Sequence, residues 1–553
     1  TVFGCGGNRD KTKRPRMGQA AAELSDRVII TSDNPRGEDP AAIAQEILAG
    51  ARKGKASTEV ILDRREAIRV ALEGADEGWL VLIAGKGHEA VQIFADRSVP
   101  FDDRVAVREI LFKPEEIMAV ARGVSIDTRA IQPGQLFVAI RGKRFDGNEF
   151  VSEAFRRGAA GAVVERFPAG GAGGKPVWQV PDTLEALGKL ARFHRDRFQP
   201  DLVAITGSSG KSTTKTMLAH LLSEDREVLA TPGTQNNRIG VPLTLFQLQA
   251  GHRAVVLELG TNQWGEIRTL AEISRPTVGV VTNIGPAHLQ TFGDLEGVLK
   301  AKGELWEGME PSAVLVLNGD DPLLAKAGRS LHRKVVWYGT GPAAETRATQ
   351  IRLNPLSSSF RVNGVEVNLP VPGRHNVMNA LAALACAKVL GMKLNSAARR
   401  LGSFTPLPGR LNIIERDGLL ILDDSYNGNP ASLRAALEAM REIRRPGGRK
   451  VVALGDMLEL GEGAQALHAE AGRQIMEHGA DALVTVGPLA GRALEAAREA
   501  GLSTQAGWPF DGPEQAGEFL AGFLRPGDLL LLKGSRGTQM EKVLACFTTS
   551  SIL

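Results

Sequence analysis

Short apolar runs alternate with amphipathic helical stretches along most of the chain. Continuous runs of Val, Ile and Leu that end in Gly or a polar residue are typical of buried parallel strands, which present ligands at their carboxyl ends. The pattern therefore predicts an α/β fold that is repeated along the chain. The predicted strands lie in DRVIITSDNP (26–35), WLVLIAGKG (79–87), DLVAITGSSG (201–210), RAVVLELGT (253–261), TVGVVTNIG (277–285), KVVALGDM (450–457) and DLLLLKGS (528–535).

Breaks in this pattern indicate where domains begin and end. One α/β unit ends and another starts around 99–113, and PLPGRLN at 406–412 is typical of a hinge. A chain of 553 residues is also too long for one hydrophobic core. We expect four domains, at 1–110, 111–198, 199–408 and 409–553.

Composition excludes several classes of protein. The 67 Lys and Arg residues nearly balance the 63 Asp and Glu residues, so the formal charge of +4 gives little support for a nucleic-acid partner. Three scattered cysteines cannot form a disulfide framework or a zinc site, which fits a reducing cytoplasm. No apolar run reaches the roughly 18 residues of a membrane span, and the first residues have no signal-peptide pattern. We expect a soluble cytoplasmic protein without membrane insertion.

The segment ITGSSGKSTTKTML at 205–218 is typical of a nucleoside-triphosphate site. It follows a predicted strand and opens a predicted helix, so backbone N–H groups and the helix dipole can hold phosphate oxygens. Lys211 can reach the terminal phosphates, and the Ser212 hydroxyl can bind Mg²⁺. A tight strand–helix turn is the alternative, but packing alone does not explain Lys-Ser at this point. The predicted phosphate site comprises Gly207, Ser208, Ser209, Gly210, Lys211, Ser212 and Thr213.

Other polar residues follow neighbouring predicted strands. Glu258 ends the strand RAVVLE, where a second ligand of Mg²⁺ would lie, although a Glu at a strand end is often only solvated. Asn283 and His288 share the loop after another strand, and a lone His is more often structural than a metal ligand. Lys302, taken alone, is typical of a solvated lysine on a helix. These residues by themselves leave both interpretations open.

A set of motifs in a fixed order makes the interpretation more specific. The motifs are TGSSGKSTT, TQNNRIGVP (234–242), LELGT, TNIGPAHL, KAKGE, GRHNVMNALAA (373–383), DDSYNGNP (423–430), LGDMLELG (454–461) and LLKGSRG (531–537). Together they resemble the Mur ligase family, and within it the members that add D-alanyl-D-alanine to a UDP-N-acetylmuramoyl-tripeptide. GVSIDTRAIQPGQLFVAIRGKRFDGNEFV (123–151) also resembles the uridine-nucleotide domain of that family. The resemblance covers 111–553 and implies a central ATPase domain and a Rossmann-like last domain.

The resemblance implies a reaction and a set of catalytic groups. ATP phosphorylates a substrate carboxylate, and the incoming amine displaces phosphate from the resulting acyl phosphate. Two Mg²⁺ ions are implied, with Ser212, Glu258, His288 and a carbamylated Lys302 as ligands. The implied catalytic residues are Lys211, Lys302, His288 and Arg410.

The same resemblance assigns the binding residues. For ATP it implies Asn283, Asn376 at the adenine, Arg410 at the γ-phosphate and Asp424 at the ribose. For the dipeptide it implies Ser425, Tyr426, Asn427, Asn429 and Lys533, with Ser535 and Arg536 facing the same cleft. For the muropeptide nucleotide it implies Asn236, Asn237 and Arg238, and for its uridine diphosphate Asp127, Thr128 and Arg129.

The front segment resembles the last domain of a different member of the family. FGCGGNRDKTKRP, TSDNPRGEDP (31–40) and IAGKGHE (83–89) are similar to the members that add meso-diaminopimelate. By composition alone DNPRGEDP would be a turn. The resemblance implies a fusion of two Mur ligases in which the first lacks its two leading domains, and we expect this segment alone not to add diaminopimelate. The implied amino-acid site is Arg9, Asp33, Asn34, Pro35, Arg36, Gly85 and Glu89.

Several alternatives remain. A ligase similar to folylpolyglutamate synthase would share the ATPase core, and a P-loop phosphotransferase or switch would use the same phosphate loop. The front segment could instead bind other cell-wall enzymes as a scaffold. Diaminopimelate is favoured over lysine as the third residue of the tripeptide, because a fused partner would supply that substrate.

Overall fold

The computed structural model describes residues 1–142 and 145–547. They form two compact units, of which the first ends at Phe193 and the second begins at His194. Lys143 and Arg144, which belong to the stretch that resembles the uridine-nucleotide domain, lie outside the described residues. Among the described residues, no helix has the length and apolar character needed to cross a membrane.

The first sheet, called the front sheet, is parallel and has the strand order β3-β2-β1-β4. Val2, Ile29 and Ile30 are buried on it, as continuous apolar runs predict. Its strands are β1 (Val2–Phe3), β2 (Arg27–Ile30), β3 (Ser57–Val60) and β4 (Ile83–Ala84), and its helices are α1 (Lys13–Leu24), α2 (Pro40–Ala51) and α3 (Arg64–Glu73). A hairpin of β5 (Val91–Ile93) and β6 (Ser98–Pro100) and helix α4 (Asp103–Leu111) follow.

The strand predicted at 79–87 is mostly wrong. Only Ile83 and Ala84 are in strand conformation, and the side chain of Leu80 is 90% exposed. The neighbouring strand β1 is itself only two residues long, and it pairs only with Ile83 and Ala84. Apolar residues before Ile83 therefore have no partner strand to complete a ladder.

The second sheet is also parallel, with the order β10-β9-β8-β7. Its strands are β7 (Val124–Ser125), β8 (Leu136–Val138), β9 (Gly161–Val164) and β10 (Val177–Gln179). Its helices are α5 (Pro114–Ala119), α6 (Val151–Arg156) and α7 (Thr183–Asp196), with a 3₁₀ turn at Gly147–Phe150.

The central sheet has the order β12-β13-β11-β14-β15-β16-β17-β18-β19, parallel as far as β17 and antiparallel from there on. Its strands are β11 (Asp201–Thr206), β12 (Glu227–Ala230), β13 (His252–Glu258), β14 (Val278–Val281), β15 (Val314–Asn318), β16 (Val335–Gly339), β17 (Thr346–Leu353), β18 (Ser358–Val362) and β19 (Val365–Leu369). Its helices are α8 (Lys211–Leu222), α9 (Gly240–Leu245), α10 (Glu266–Ser274), α11 (Leu289–Phe292), α12 (Leu295–Glu307), α13 (Pro322–Arg329), α14 (Arg374–Val389) and α15 (Leu394–Leu401).

Helix α14 is buried along most of its length, against α8 and strands β15 to β17. Its alanine-rich run lets neighbouring elements approach closely on several sides, which is typical of a core helix rather than a surface helix. The packing fixes the start of α14, where His375 and Asn376 lie beside the candidate site.

The last sheet has the order β20-β21-β25-β22-β23-β24 and is parallel except for β20. Its strands are β20 (Asn412–Arg416), β21 (Leu419–Asp424), β22 (Lys450–Gly455), β23 (Ala482–Val486), β24 (Gly507–Phe510) and β25 (Leu529–Lys533). Its helices are α16 (Pro430–Glu442), α17 (Ala464–Glu477), α18 (Pro488–Glu499), α19 (Pro513–Phe523) and α20 (Glu541–Ala545), with 3₁₀ turns at Gly461–Gly463, Thr504–Ala506 and Arg536–Thr538. The five strands predicted from 201–210 to 528–535 are confirmed as β11, β13, β14, β22 and β25.

The front and last sheets share one topology. The four strands β22 to β25, in chain order, occupy the same relative positions as β1 to β4, with one helix between each pair. The last sheet adds β20, β21 and α16 ahead of this unit, and β21 pairs with β25. The chain therefore contains the same β–α arrangement twice.

Candidate active site

A cavity of about 640 Å³ lies within the second unit, beyond the carboxyl ends of β11, β13 and β14. Loops that follow β21, β22 and β25 line it as well, so the central and the last sheet both contribute polar groups. This is where ligands bind in open α/β sheets. The predicted residues that line the cavity are Ser208, Ser209, Gly210, Lys211, Ser212, Thr213, Asn236, Asn237, Glu258, Asn283, His288, Asn376, Arg410, Asp424, Tyr426, Asn427, Asn429, Lys533, Ser535 and Arg536.

The phosphate loop connects β11 to α8, and its two glycines are needed where they stand. A Cβ at Gly207 (φ +139°) would lie 2.0 Å from Thr282 Oγ1, and one at Gly210 (φ +80°) would lie 2.2 Å from Asn379 Oδ1. Only glycine combines these positive φ angles with such close neighbours. The loop is therefore packed tightly against the loop after β14 and against α14.

Lys211 opens α8 and turns back over the loop. Its Nζ donates to the Gly207 carbonyl oxygen at 2.7 Å. Burial lowers the pKa of the Lys211 ammonium from its usual value; Glu258 opposes this shift and Arg410 adds to it. An anionic phosphate bound next to the amine would stabilise its charged form and so oppose the effect of burial.

The Asn283 side chain holds the phosphate loop through hydrogen bonds to Ser209. Its Oδ1 accepts from the backbone N–H of Ser209 at 3.0 Å, and its Nδ2 donates to Ser209 Oγ at 3.0 Å. The Thr282 hydroxyl donates to the Ser209 carbonyl oxygen at 2.6 Å. Asn283 lines the cavity, and its amide already positions the loop that carries Lys211.

Glu258 presents a carboxylate oxygen with unused bonding capacity. Oε1 accepts from Asn236 Nδ2 at 2.8 Å, whereas Oε2 is buried and has no hydrogen-bond partner among the described residues. Lys215 Nζ lies 3.8 Å from that oxygen and donates to the carbonyl oxygens of Thr231 and Gly233, each at 2.8 Å. Sequence reasoning missed Lys215, because nothing in its local pattern separates it from a surface lysine.

The metal hypothesis fits this donor set. In the part of the chain that the structure describes, no group of three or more His, Cys, Asp and Glu side chains could hold a metal ion. Mg²⁺ usually takes only one or two carboxylates, with phosphate oxygens and water completing its shell. Glu258 Oε2, which has no hydrogen-bond partner among the described residues and lies 3.8 Å from Lys215 Nζ, suits such a site.

Arg410 lies just before β20, the first strand of the last sheet, and contacts the start of α8. Its Nη2 donates to Ser212 Oγ at 2.7 Å, and its guanidinium lies 4.3 Å from the ring centre of Tyr426. The Tyr426 hydroxyl donates to Thr234 Oγ1 at 2.5 Å. The two sheets are thus in contact across the cavity.

His288 makes a second contact between the two sheets. It precedes α11 with φ +53°, and its Nδ1 lies 2.6 Å from Oε2 of Glu459, in the loop after β22. The hydrogen bond with His288 lowers the pKa of the Glu459 carboxyl group. Sequence reasoning missed Glu459, although the LGDMLELG motif that contains it was part of the resemblance.

Lys302 is buried, so its interpretation as a solvated helix lysine is wrong. The residue is 1% exposed on α12, whereas Lys300 two positions earlier is exposed. Burial lowers the pKa of the Lys302 amine well below its usual value, and the nearby charge of Lys211 lowers it further. Lys302 does not itself line the cavity.

Polar side chains from α14 and β21 meet at another part of the cavity. Asn376 Nδ2 donates to the Pro372 carbonyl oxygen at 2.8 Å, and Asn379 Nδ2 donates to Asn376 Oδ1 at 3.3 Å. Asp424 forms an ion pair with Lys533, with Oδ2 and Nζ 2.6 Å apart. Burial lowers the pKa of His375 to about 4, so the imidazole facing this part of the cavity is neutral. His375 and Asn379 were not among the predicted residues.

Three residues of the second unit that were predicted to bind ATP or substrate do not line the cavity: Gly207, Ser425 and Arg238. Ser425 is 1% exposed, and its hydroxyl donates to Asp423 Oδ1 at 2.5 Å instead of lining the cavity. The buried Asp423 carboxylate is the acceptor that holds this hydroxyl. Arg238 is also absent from the cavity lining, while Oδ1 of its neighbour Asn237 accepts from the backbone N–H of Gly240, the first residue of α9, at 2.9 Å.

The predicted uridine-diphosphate residues belong to the first unit. Asp127 accepts from the backbone N–H of Arg129 at 2.9 Å and pairs with its guanidinium at 2.7 Å. These bonds with Arg129 lower the pKa of Asp127 to about 2. Thr128 lies between them, in the turn that follows β7.

The predicted front site forms a polar cluster in the loops after β2 and β4, in which Asn34 is buried and Asp33 and Glu89 are half-buried. Asn34 Nδ2 donates to Glu89 Oε2 at 2.5 Å, and Asn34 Oδ1 accepts from Lys86 Nζ at 3.2 Å. Asp33 Oδ1 is buried without a hydrogen-bond partner among the described residues, and Lys86 Nζ lies 3.8 Å away. Sequence reasoning missed Lys86. Of the other predicted members, Pro35 is buried, Arg36 Nη1 donates to the Gly7 carbonyl oxygen at 2.8 Å, Gly85 follows β4 and Arg9 is exposed.

Models of the Mur ligase family match most of the chain. The Mur ligase middle domain matches residues 205–387, and the Mur ligase family catalytic domain matches 120–195. The Mur ligase glutamate ligase domain matches twice, at 1–87 and at 409–536. The double match agrees with the topology that the front and last sheets share.

Several curated proteins that are similar to the chain have the same name. UDP-N-acetylmuramoyl-tripeptide–D-alanyl-D-alanine ligase of Bacillus subtilis (strain 168) is 34% identical over 441 residues, which is 79% of this chain and 95% of that protein. The ligase of the same name from Escherichia coli (strain K12) is 38% identical over 371 residues, 66% of this chain and 81% of that protein.

Two solved structures of ligases named MurF are similar to the chain. MurF from Acinetobacter baumannii superposes with a TM-score of 0.71 at 34% identity, covering 79% of this chain and 98% of that one. The MurF ligase of Thermotoga maritima, solved in complex with ADP, has a TM-score of 0.69 at 30% identity, covering 77% of this chain and 97% of that one.

Proposed function

The chain belongs to the Mur ligase family, and we propose that it uses ATP to join D-alanyl-D-alanine to a UDP-N-acetylmuramoyl-tripeptide. The names of the similar curated proteins supply the substrates. The observation that carries the proposal is the cavity in which Lys211, Ser212, Glu258 and Arg410 meet beside loops of the last sheet. Such a cavity can hold a nucleotide and an acceptor together.

The proposed chemistry has two steps. The terminal carboxylate of the tripeptide attacks the γ-phosphorus of ATP, and the bond to ADP breaks to give an acyl phosphate. The amine of D-alanyl-D-alanine then attacks the acyl carbon, loses a proton and expels phosphate. Water would compete as nucleophile, so the loops on both sides of the cavity also have the task of excluding it.

Charged groups of the chain stabilise the transferring phosphoryl group. Lys211 and Arg410 both line the cavity, and positive groups that are fixed before the reaction lower its barrier. Glu258 Oε2 and the Ser212 hydroxyl would hold Mg²⁺, which neutralises phosphate charge when bound. His288 and Lys302 are the proposed residues for a second ion.

Carbamylation of Lys302 is proposed on chemical grounds. Carbon dioxide adds only to a neutral amine, forming an N–C bond and releasing a proton. Burial and the charge of Lys211 lower the pKa of Lys302, which favours its neutral form at a pH where an ordinary lysine is charged. The carbamate would convert this neutral amine into an anionic ligand.

The proposed orientation places the nucleoside of ATP by α14 and β21. Asn376 offers an amide for adenine and Asp424 a carboxylate for ribose hydroxyls, with Asn379 and Lys533 holding these side chains in place. Tyr426, Asn427 and Asn429 lie in the loop after β21, where the dipeptide would bind. Asn236 and Asn237 would contact the muropeptide, and Asp127, Thr128 and Arg129 its uridine diphosphate.

The front segment is proposed to be a second amino-acid domain of diaminopimelate type. Support comes from its match to the same domain model as 409–536 and from the polar cluster of Asp33, Asn34, Lys86 and Glu89. Only one Lys-Ser phosphate loop is found in the sequence, at 205–218, and it serves the proposed dipeptide reaction. We therefore propose that the chain is a fusion whose front segment does not add diaminopimelate. Detection of that product from UDP-N-acetylmuramoyl-dipeptide and diaminopimelate would contradict this.

Phosphate release tests the proposed function. The chain is incubated with ATP, Mg²⁺ and UDP-N-acetylmuramoyl-tripeptide, with and without D-alanyl-D-alanine. We expect sustained release only when the dipeptide is present. Release that ignores the dipeptide would support a phosphotransferase, and release that requires folate and glutamate would support a ligase similar to folylpolyglutamate synthase.

A further inference from the structure

Two loops from different sheets meet at His288 and Glu459. The imidazole Nδ1 and the carboxylate Oε2 are 2.6 Å apart, and both residues line the cavity. Each has a left-handed backbone, with φ +53° at His288 and φ +63° at Glu459. Non-glycine residues seldom adopt this conformation, and where they do it often marks a functional site.

The Glu459 loop is anchored to its own sheet. The backbone N–H of Met457 donates to Nε2 of the buried His468 at 2.9 Å, and that of Leu458 donates to Ser535 Oγ at 2.8 Å. Ser535 Oγ in turn donates to the Gly428 carbonyl oxygen at 3.1 Å. Hydrogen bonds at Met457 and Leu458 therefore fix the loop that carries the Glu459 carboxylate.

The His288 loop is anchored equally firmly. The backbone N–H of Ile284 donates to Asp321 Oδ2 at 2.7 Å, and that of Gly285 donates to Ser208 Oγ at 2.9 Å. The imidazole packs edge-on to Phe292, with ring centres 6.2 Å apart. Its polar contact is with the Glu459 carboxylate, which comes from the other sheet.

We propose that Glu459 is a positioning residue, which accepts a hydrogen bond from Nδ1 of His288 and leaves Nε2 as the unprotonated nitrogen available to a cation. This inference rests on the proposed role of His288 at the metal site. Metal-binding histidines commonly donate their second nitrogen to a carboxylate, which fixes the tautomer and the ring orientation. Because the carboxylate belongs to the last sheet, the site is complete only when the two loops are in contact.

The test measures divalent metal binding directly. Mn²⁺ is titrated into the full chain in the presence of ADP, and free Mn²⁺ is followed by electron paramagnetic resonance. We expect Glu459→Ala to weaken Mn²⁺ binding about 10- to 100-fold, the usual effect of removing such a carboxylate. Glu459→Gln, which keeps an acceptor oxygen, should recover part of the loss. Glu462→Ala, an exposed neighbour in the next turn, is the matched control and should bind like the wild type.

A double-mutant cycle and a metal-free measurement complete the test. If Glu459 acts through His288, then His288→Gln combined with Glu459→Ala should bind no more weakly than His288→Gln alone. In metal-free protein, Glu459→Ala should speed hydrogen exchange in the loops at 284–293 and 456–463. Equal Mn²⁺ binding by the wild type and Glu459→Ala, or additive losses in the double variant, would overturn the inference. A wild type that binds Mn²⁺ as expected but forms no dipeptide product would instead count against the proposed function.

Discussion

At the scale of single residues, burial decides what the charged groups of the cavity can do. Lys302 and Lys211 both lose hydration, and burial is the largest cause of the lowered pKa at each. Lys211 lines the cavity, where phosphate would stabilise its charged form, whereas Lys302 does not line the cavity. The same residue type therefore suits two different tasks, phosphate binding and carbamylation.

The Lys302 proposal predicts a chemical rescue. Lys302→Ala should lower the ligation rate about 10²- to 10³-fold, the range for loss of one fixed electrostatic group. Acetate or another short carboxylate should restore part of the rate, because it can occupy the space of the missing carbamate. The measurement is phosphate release over a range of acetate concentrations.

Lys300→Ala is the control for that experiment, since Lys300 is an exposed lysine on the same helix. We expect its activity to match that of the wild type, with no response to acetate. Full activity of unrescued Lys302→Ala would remove Lys302 from the mechanism.

Sequence reasoning found the residues that belong to strong local motifs and missed those that act across the fold. Lys211 and Ser212 stand in a strand–loop–helix pattern that is typical of phosphate binding. Lys215 and Glu459 are functional candidates only because of what faces them, a carboxylate in one case and an imidazole in the other. Contacts between residues so far apart in the chain have no local signature.

At the scale of elements, the strands were predicted well where the chain is apolar and has partners on both sides. Strands β11, β13, β14, β22 and β25 are central in their sheets. The run at 79–87 is just as apolar, but its neighbour β1 limits pairing to two residues. The hydrophobic pattern of a segment indicates that it can form a strand, but it does not show how long the neighbouring strand is.

The strand–loop–helix element at β11 and α8 gives a steric prediction. Gly207→Ala should abolish ADP binding, because the added methyl group would lie 2.0 Å from Thr282 Oγ1 and force the phosphate loop to move. Isothermal titration calorimetry with ADP and Mg²⁺ measures the effect. Gly522→Ala, in α19 with no atom within 4 Å of the new methyl group, is the control and should bind ADP normally. Normal ADP binding by Gly207→Ala would show that the loop does not depend on this contact.

Helices α3 and α4 of the front segment are joined by a buried ion pair. Arg64 is 1% exposed, and its Nη2 lies 2.7 Å from Asp103 Oδ2. Arg64→Ala leaves a partly buried carboxylate without its partner, so we expect a loss of about 3–5 kcal/mol in the free energy of unfolding. Chemical denaturation followed by tryptophan fluorescence measures it.

Arg65→Ala is the comparison, because its pair with Glu109 is more exposed and such pairs contribute about 1 kcal/mol or less. Equal stability of the two variants would mean that the Arg64 pair does not hold α3 and α4 together.

At the scale of the whole molecule, one β–α arrangement occurs twice with different neighbours. The last sheet shares a cavity with the phosphate loop, through contacts such as that of Arg410 with Ser212. The front sheet has its own polar cluster in the other unit. Each of the four main sheets falls within one of the four segments expected from the sequence, whereas their independence as domains stays a prediction.

The fold class was predictable because apolar strands and motifs in a fixed order can be recognised in the sequence. How the loops of the central and last sheets meet was not predictable, since it depends on side chains such as Tyr426 and Thr234 that are far apart in sequence. Ser425 illustrates the limit: its motif predicted a binding residue, and its hydroxyl instead bonds Asp423 within the sheet.

The path of one oxygen atom tests the central claim, ligation through an acyl phosphate, most directly. UDP-N-acetylmuramoyl-tripeptide labelled with ¹⁸O in its terminal carboxylate is incubated with the chain, ATP, Mg²⁺ and D-alanyl-D-alanine, and the products are analysed by mass spectrometry. We predict a pentapeptide product together with ADP and phosphate that carries one ¹⁸O atom from the carboxylate. Phosphate without the label, or ATP hydrolysis without pentapeptide, would contradict the account.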